Sequence, residues 1–185
     1  MPRHSLAIEG QYPPFYISGN YFDCGVGGTT RTTNPGILDR VLVMPFVPGQ
    51  DIAVDRAAID VTTFIAAAES RIVIYDSDGA GGVPSTRLYD SAEQDCSTTG
   101  IKEVTLAFTF QAGKLYWVGV HNSSTATLRA ISVADLRPIG VIGTASGAVY
   151  TAYRVQSVFG TDSPNPFGTP ILINVNVPQV KFRIV

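Results

Sequence analysis

Apolar and polar residues alternate with a period of two along most of the chain after residue 36, the spacing that sends neighbouring side chains to opposite faces of a β-strand. The clearest case is Glu103 to Gln111. Val104, Leu106, Phe108 and Phe110 point one way, while Glu103, Thr105, Ala107, Thr109 and Gln111 point the other. Ala112-Gly113-Lys114 then reads as a turn, and the segment Leu115 to Asn122 as the returning hairpin partner. In that partner Tyr116, Val118 and Val120 share a face, with Trp117 on the other. Arg40 to Val47 is a largely apolar run, consistent with a strand buried on both faces.

Further segments follow the same rule. Ile59, Val61, Thr63 and Ile65 alternate among β-branched neighbours, which predicts a strand over 56–64, with a short helix over 64–69 competing because of the alanines. Thr127 to Val133 follows a polar turn, and Val149 to Phe159 alternates again. The segment 160–170 is rich in Gly, Pro, Asn and Asp, which favour chain reversal. Two short strands around Pro178 close the sequence. Eight to ten strands of five to nine residues, joined by Gly/Pro-rich turns and with no clear helix, predict an all-β fold. The expected architecture is a β-sandwich, jelly-roll-like, with an irregular N-terminal arm.

Residues 1–36 lack this periodicity and are expected to form that arm, with 37–185 as a single sandwich domain. Pro13 and Pro14 force an extended path, and Tyr12, Phe15, Tyr16, Tyr21 and Phe22 need a surface to pack on. Two readings stand side by side. The arm wraps its own sandwich, or it docks on a neighbouring subunit.

Composition narrows the function classes. Hydrophobic residues make up 45% and charged residues 15%, which disfavours disorder. A net charge of −2, with Lys and Arg scattered singly, leaves no electrostatic footprint for nucleic acid. No apolar stretch reaches the roughly 18–20 residues of a membrane span, so no membrane insertion is expected. The N-terminus lacks a signal-peptide pattern, and the mature protein is expected to begin at Met1 and to be made in a cytoplasm. Cys24 and Cys96 are then expected as reduced, partly buried thiols.

Candidate chemistry is sparse. Asp76 and Asp78 flank an acidic Gly-rich turn that supplies two hard oxygen ligands, a weak calcium candidate without the EF-hand spacing; tight-turn chemistry is the favoured explanation. Trp117, Tyr75 and Tyr89, with Asp76 and Asp90 as acceptors, are candidates for a glycan platform in which aromatic rings stack on sugar faces. Core packing is the competing explanation. His4 and His121 are the two histidines, and no nucleophile elbow or paired-carboxylate motif accompanies them. No enzyme activity, metal or cofactor is expected.

One ordered set of phrases adds a family resemblance. Arg71, Ile74, Tyr75 and Gly79 are followed by Pro84, Leu88 and Asp90. Next come Ser97, Thr98, Thr99, Gly100, Lys102 and Glu103, and finally Gly113, Tyr116 and Trp117. This order resembles a module of bacteriophage tail and head-fibre proteins. The chain departs from it at Val73 and Ser85, where the module has glycine. The resemblance implies a jelly-roll virion component, made in the host bacterial cytoplasm, which assembles as a homo-oligomer, expected to be a homotrimer. It implies attachment to other virion proteins, with the arm as the candidate attachment segment, and carries no catalytic residues. A host-surface glycan-binding adhesin is the alternative.

Overall fold

In the computed structural model, residues 16–25, 31–136, 150–160 and 162–185 are described. Along the chain the strands are β1 (Tyr21–Asp23), β2 (Arg31–Pro35), β3 (Arg40–Phe46), β4 (Ile52–Thr63), β5 (Glu69–Asp76), β6 (Arg87–Asp90) and β7 (Gln94–Asp95). They continue as β8 (Gly100–Phe110), β9 (Tyr116–Asn122), β10 (Thr127–Ile131), β11 (Ala152–Gln156), β12 (Ile171–Ile173), β13 (Val177–Pro178) and β14 (Lys181–Ile184). Among the described residues a single 3₁₀ turn, at Val133–Asp135, interrupts them, and no helix is long and apolar enough to cross a membrane. The fold is an all-β sandwich of two antiparallel sheets. The first runs β1–β14–β4–β10–β13, with β2 also on β10 and β8 on β4. The second runs β12–β11–β3–β9–β5–β6, with β7 also on β5.

The alternation along β8 and β9 places side chains as expected. Leu106 and Phe110 are buried in the inter-sheet core, with Val104 and Phe108 packed against it, and Tyr116, Val118 and Val120 enter the same core from the other sheet. Trp117 lies on the opposite face. The hairpin expectation is corrected. β8 pairs with β4 in the first sheet, whereas β9 lies between β3 and β5 in the second. The turn at Gln111–Lys114, closed by Lys114 N–H to Gln111 O at 3.2 Å with Gly113 at φ +73°, therefore carries the chain from one sheet to the other. Period two fixes the face each residue takes, but not whether the next strand bonds beside it or stacks over it.

The strand expected at 56–64 begins earlier, at Ile52. A register shift between Val54 and Arg56 puts both Val54 and Ala57 in the core, so the alternation looks broken where the strand in fact continues. No helix forms at 64–69; Ala68 N–H bonds Ile65 O at 3.1 Å, and Ala67 takes φ +57° to make the turn. Of the strand expected over Val149 to Phe159, Val149 lies outside the described residues and the strand itself covers Ala152–Gln156.

Aromatic rings concentrate in the core toward one end of the sandwich. Phe110 meets Phe46, Tyr116 and Phe182 edge-on, with centroids 5.1–5.2 Å apart, each contact worth roughly 0.5–1.5 kcal/mol beyond area burial. Cys24 and Cys96 are both free and buried, and burial pushes both thiols up.

Candidate functional site

The second sheet is buried on both faces. Its inner face joins the core, and its outer face carries a second apolar cluster of Val41, Val43, Val73, Tyr75, Trp117, Tyr153 and Phe167. Strand alternation puts Val41 and Val43, Val73 and Tyr75, and Trp117 on this side, and residues 157–160 and 162–170 fold back over it. Tyr75 meets Phe167 edge-on at 4.9 Å and donates its hydroxyl to Pro164 O at 2.9 Å. Trp117 meets Tyr153 at 5.0 Å and donates Nε1–H to Gly82 O at 2.9 Å.

Tyr75 is 0% exposed and Trp117 2%. Neither ring offers a face to a sugar, so the glycan platform is corrected at these two positions: they are core residues whose polar ends find backbone carbonyls. Tyr89 points to the opposite side of the sheet. It packs, half-buried, against the inter-sheet core and donates to Thr105 O at 3.3 Å, closing the edge between β6 and β8. The three aromatic rings therefore do not converge on one surface.

The acidic residues of this region are engaged as well. Asp90 accepts from Ser163 N–H at 2.7 Å, from Ser163 Oγ at 2.9 Å and from Arg87 at 2.9 Å. Arg87 in turn donates to Ser163 O, and its backbone N–H donates to Asn165 Oδ1 at 3.1 Å. Together these bonds clasp the 157–170 loop to β6. Asp76 accepts from Ser77 N–H at 2.8 Å and pairs with Lys114 at 2.7 Å; this hydrogen bond is the main reason the Lys114 ammonium is held above its usual range. Asp78 accepts from Thr86 N–H at 2.9 Å and from the Thr86 hydroxyl, which hold its carboxyl below the usual range. The calcium candidates thus serve as turn fasteners. Among the described residues, no group of three or more His, Cys, Asp or Glu side chains could hold a metal ion.

His121 is 0% exposed, on the same outer face as Trp117. Its Nε2 lies 2.9 Å from Ser157 O, a pure acceptor, so Nε2 carries a proton; Nδ1 lies 3.1 Å from Ser163 Oγ. Burial, as the largest cause, lowers its pKa below the ordinary histidine value of 6.5. Ser, His and Asp side chains thus meet here, but the contacts run His–Ser–Asp, with the Ser163 hydroxyl in the middle and the residue itself 2% exposed. In a nucleophile–base–acid chain the imidazole stands in the middle. Here the Nε2–H bond to Ser157 O and the Ser163 N–H bond to Asp90 hold the loop down, with the single Ser163 hydroxyl proton serving Asp90 or His121 Nδ1.

Of the arm residues, Tyr12 and Phe15 lie outside the described residues. Tyr16 packs edge-on against Phe22 at 5.2 Å, and Phe22 packs against Phe46, Phe110 and Phe182 of the chain's own core. Tyr21 lies on β1 opposite Arg183, 41% exposed, with its hydroxyl on Glu103. The described part of the arm thus packs on its own sandwich, adding β1 to the edge of the first sheet.

Sequence reasoning passed over Arg40 and Arg154. Arg154 pairs with Leu42 across β3 and β11, and Arg40 with Gln156, so both guanidinium-bearing side chains share the inward phase with a core leucine. A cation in the inward phase of an alternating strand was the available signal, masked by the shortness of β11.

Comparison of the chain with protein-family models and with curated proteins finds no match to either.

Proposed function

We propose that the chain is a non-enzymatic structural protein of a bacteriophage particle. It is a surface-exposed head or tail component that assembles as a homo-oligomer, a homotrimer in the simplest case, and attaches to other virion proteins. The observation that carries this reading is the order of the phrases between Arg71 and Trp117. They fall in sequence on β5, the turn after it, β6, the turn into β8 and the crossing into β9. The first and last phrases supply the buried Arg71, Ile74, Tyr75, Tyr116 and Trp117, so the resemblance lies in fold-making positions. Exposed aliphatic side chains such as Leu38, Val158 and Ile171 are of the kind that subunit contacts bury. The glycan-binding alternative loses its support with the burial of Tyr75 and Trp117.

The test is sedimentation of the purified protein, followed by immunogold electron microscopy of phage particles from cells producing it. A defined oligomer and labelling at symmetric positions on the particle are expected. A monomer at micromolar concentration, together with particles that carry no label, would overturn the reading.

A further inference from the structure

Eight arginines lie among the described residues, and six of them pair with a carboxylate: Arg31 with Asp23, Arg56 with Glu103, Arg71 with Glu93, Arg87 with Asp90, Arg129 with Asp60 and Arg183 with Asp55. Arg40 and Arg154 do not. The Arg40 guanidinium has one long contact, 3.4 Å to Gln156 Oε1. The Nε groups of both residues are buried with no hydrogen-bond partner among the described residues; those of Arg56 and Arg71 are too, but their guanidinium groups pair with Glu103 and Glu93. An unmet buried donor is costly, more so when charged. Burial, and then the neighbouring charge of Arg154, hold Arg40 below the usual guanidinium range. Two like charges thus stand near each other with no carboxylate within 4.0 Å of either among the described residues.

They line a cavity of about 80 Å³, together with Asn34 of the first sheet and Asn122 of the second. Leu42, Ile173 and Val175 form its apolar wall and Ile37, 45% exposed, sits on its rim. Ile171, paired with Arg154 and in phase with Ile173, carries the apolar surface outward at 48% exposure. Guanidinium forks match carboxylates and phosphates in geometry. The surroundings choose between carriers. The volume is about half that of a cavity of ~150 Å³ that admits a benzene ring, so a pyranose ring does not fit inside. No aromatic side chain lines the cavity to stack on a sugar. The aliphatic wall and rim suit an acidic side chain set between apolar ones.

We propose that the cleft between Arg40 and Arg154 is a docking site for a carboxylate carried on an apolar peptide segment of a partner protein. The carboxylate accepts from both guanidinium groups, and its aliphatic flanks cover Ile37 and Ile171. Only the partner's identity as a virion protein rests on the functional reading above; peptide binding stands or falls separately from presence on a particle.

The test uses the full chain labelled with ¹⁵N, following the arginine Nε–Hε resonances by NMR. The titrants are the capped peptide Ac-Ala-Leu-Glu-Leu-Ala-NH2, its Gln counterpart, sodium glucuronate and sodium phosphate. Saturable shifts of the Arg40 and Arg154 signals with the Glu peptide are expected, at least tenfold weaker with the Gln peptide. In Arg154→Gln the Arg40 shift disappears, and in Arg154→Lys, which keeps the charge without the fork, it weakens. Equal response to the Glu and Gln peptides, tighter binding of glucuronate or phosphate than of the Glu peptide, or no shift with any titrant would overturn the proposal.

Discussion

The outer face of the second sheet and the cavity beside Arg40 and Arg154 contrast in how their charged groups are met. On the outer face chemistry is abundant, with Trp117, Tyr75, His121, Ser163, Asp90 and Arg87 within one region, yet these groups find partners inside the chain. Around Arg40 and Arg154 two guanidinium groups and the amides of Asn34 and Asn122 meet an aliphatic wall, and the Nε atoms of both arginines lack partners among the described residues. Density of reactive side chains therefore does not mark the better binding site. Charge without a counter-ion does, because a fold retains a half-buried cation with no carboxylate partner only at a cost in stability.

The largest effect expected from this contrast is on the outer face. Trp117→Ala should destabilise the chain by about 3–5 kcal/mol through the cavity left beside Tyr153 and the orphaned Gly82 carbonyl. Urea denaturation followed by circular dichroism measures it. A loss below about 1 kcal/mol would mean that the indole is not core, and would restore it as a surface candidate. Asp90→Asn is next. Removing the charge that Arg87 pairs with and that Ser163 bonds should cost about 2–4 kcal/mol. Hydrogen exchange should show residues 162–170 opening before the strands. Wild-type protection of that loop in the variant would mean that the clasp is not what holds it.

The sequence made the two-faced burial of β3 and the phases of β8 and β9 legible, because each rests on side-chain identity at spacing two. It could not show that β8 and β9 belong to different sheets, since turn chemistry at Gln111–Lys114 serves a hairpin and a crossing alike. Trp117 and Tyr75 were visible as aromatic, but their burial depends on distant segments, Phe167 and Pro164 for Tyr75 and Gly82 and Tyr153 for Trp117. Arg154 was hidden for a related reason: its unpaired state is a property of what the strands around it fail to supply, and no local pattern encodes that.

The smallest expected effect is the most direct test. Arg154→Met keeps the aliphatic stem while removing the charge and the orphaned Nε. The measurement is the unfolding free energy of this variant beside wild type in urea. No loss is predicted, and a gain of up to about 1 kcal/mol, because a half-buried guanidinium with an unpartnered Nε beside a second cation is replaced by apolar packing. A loss greater than about 1 kcal/mol would contradict it, since Arg154 would then be serving the fold rather than waiting for a partner.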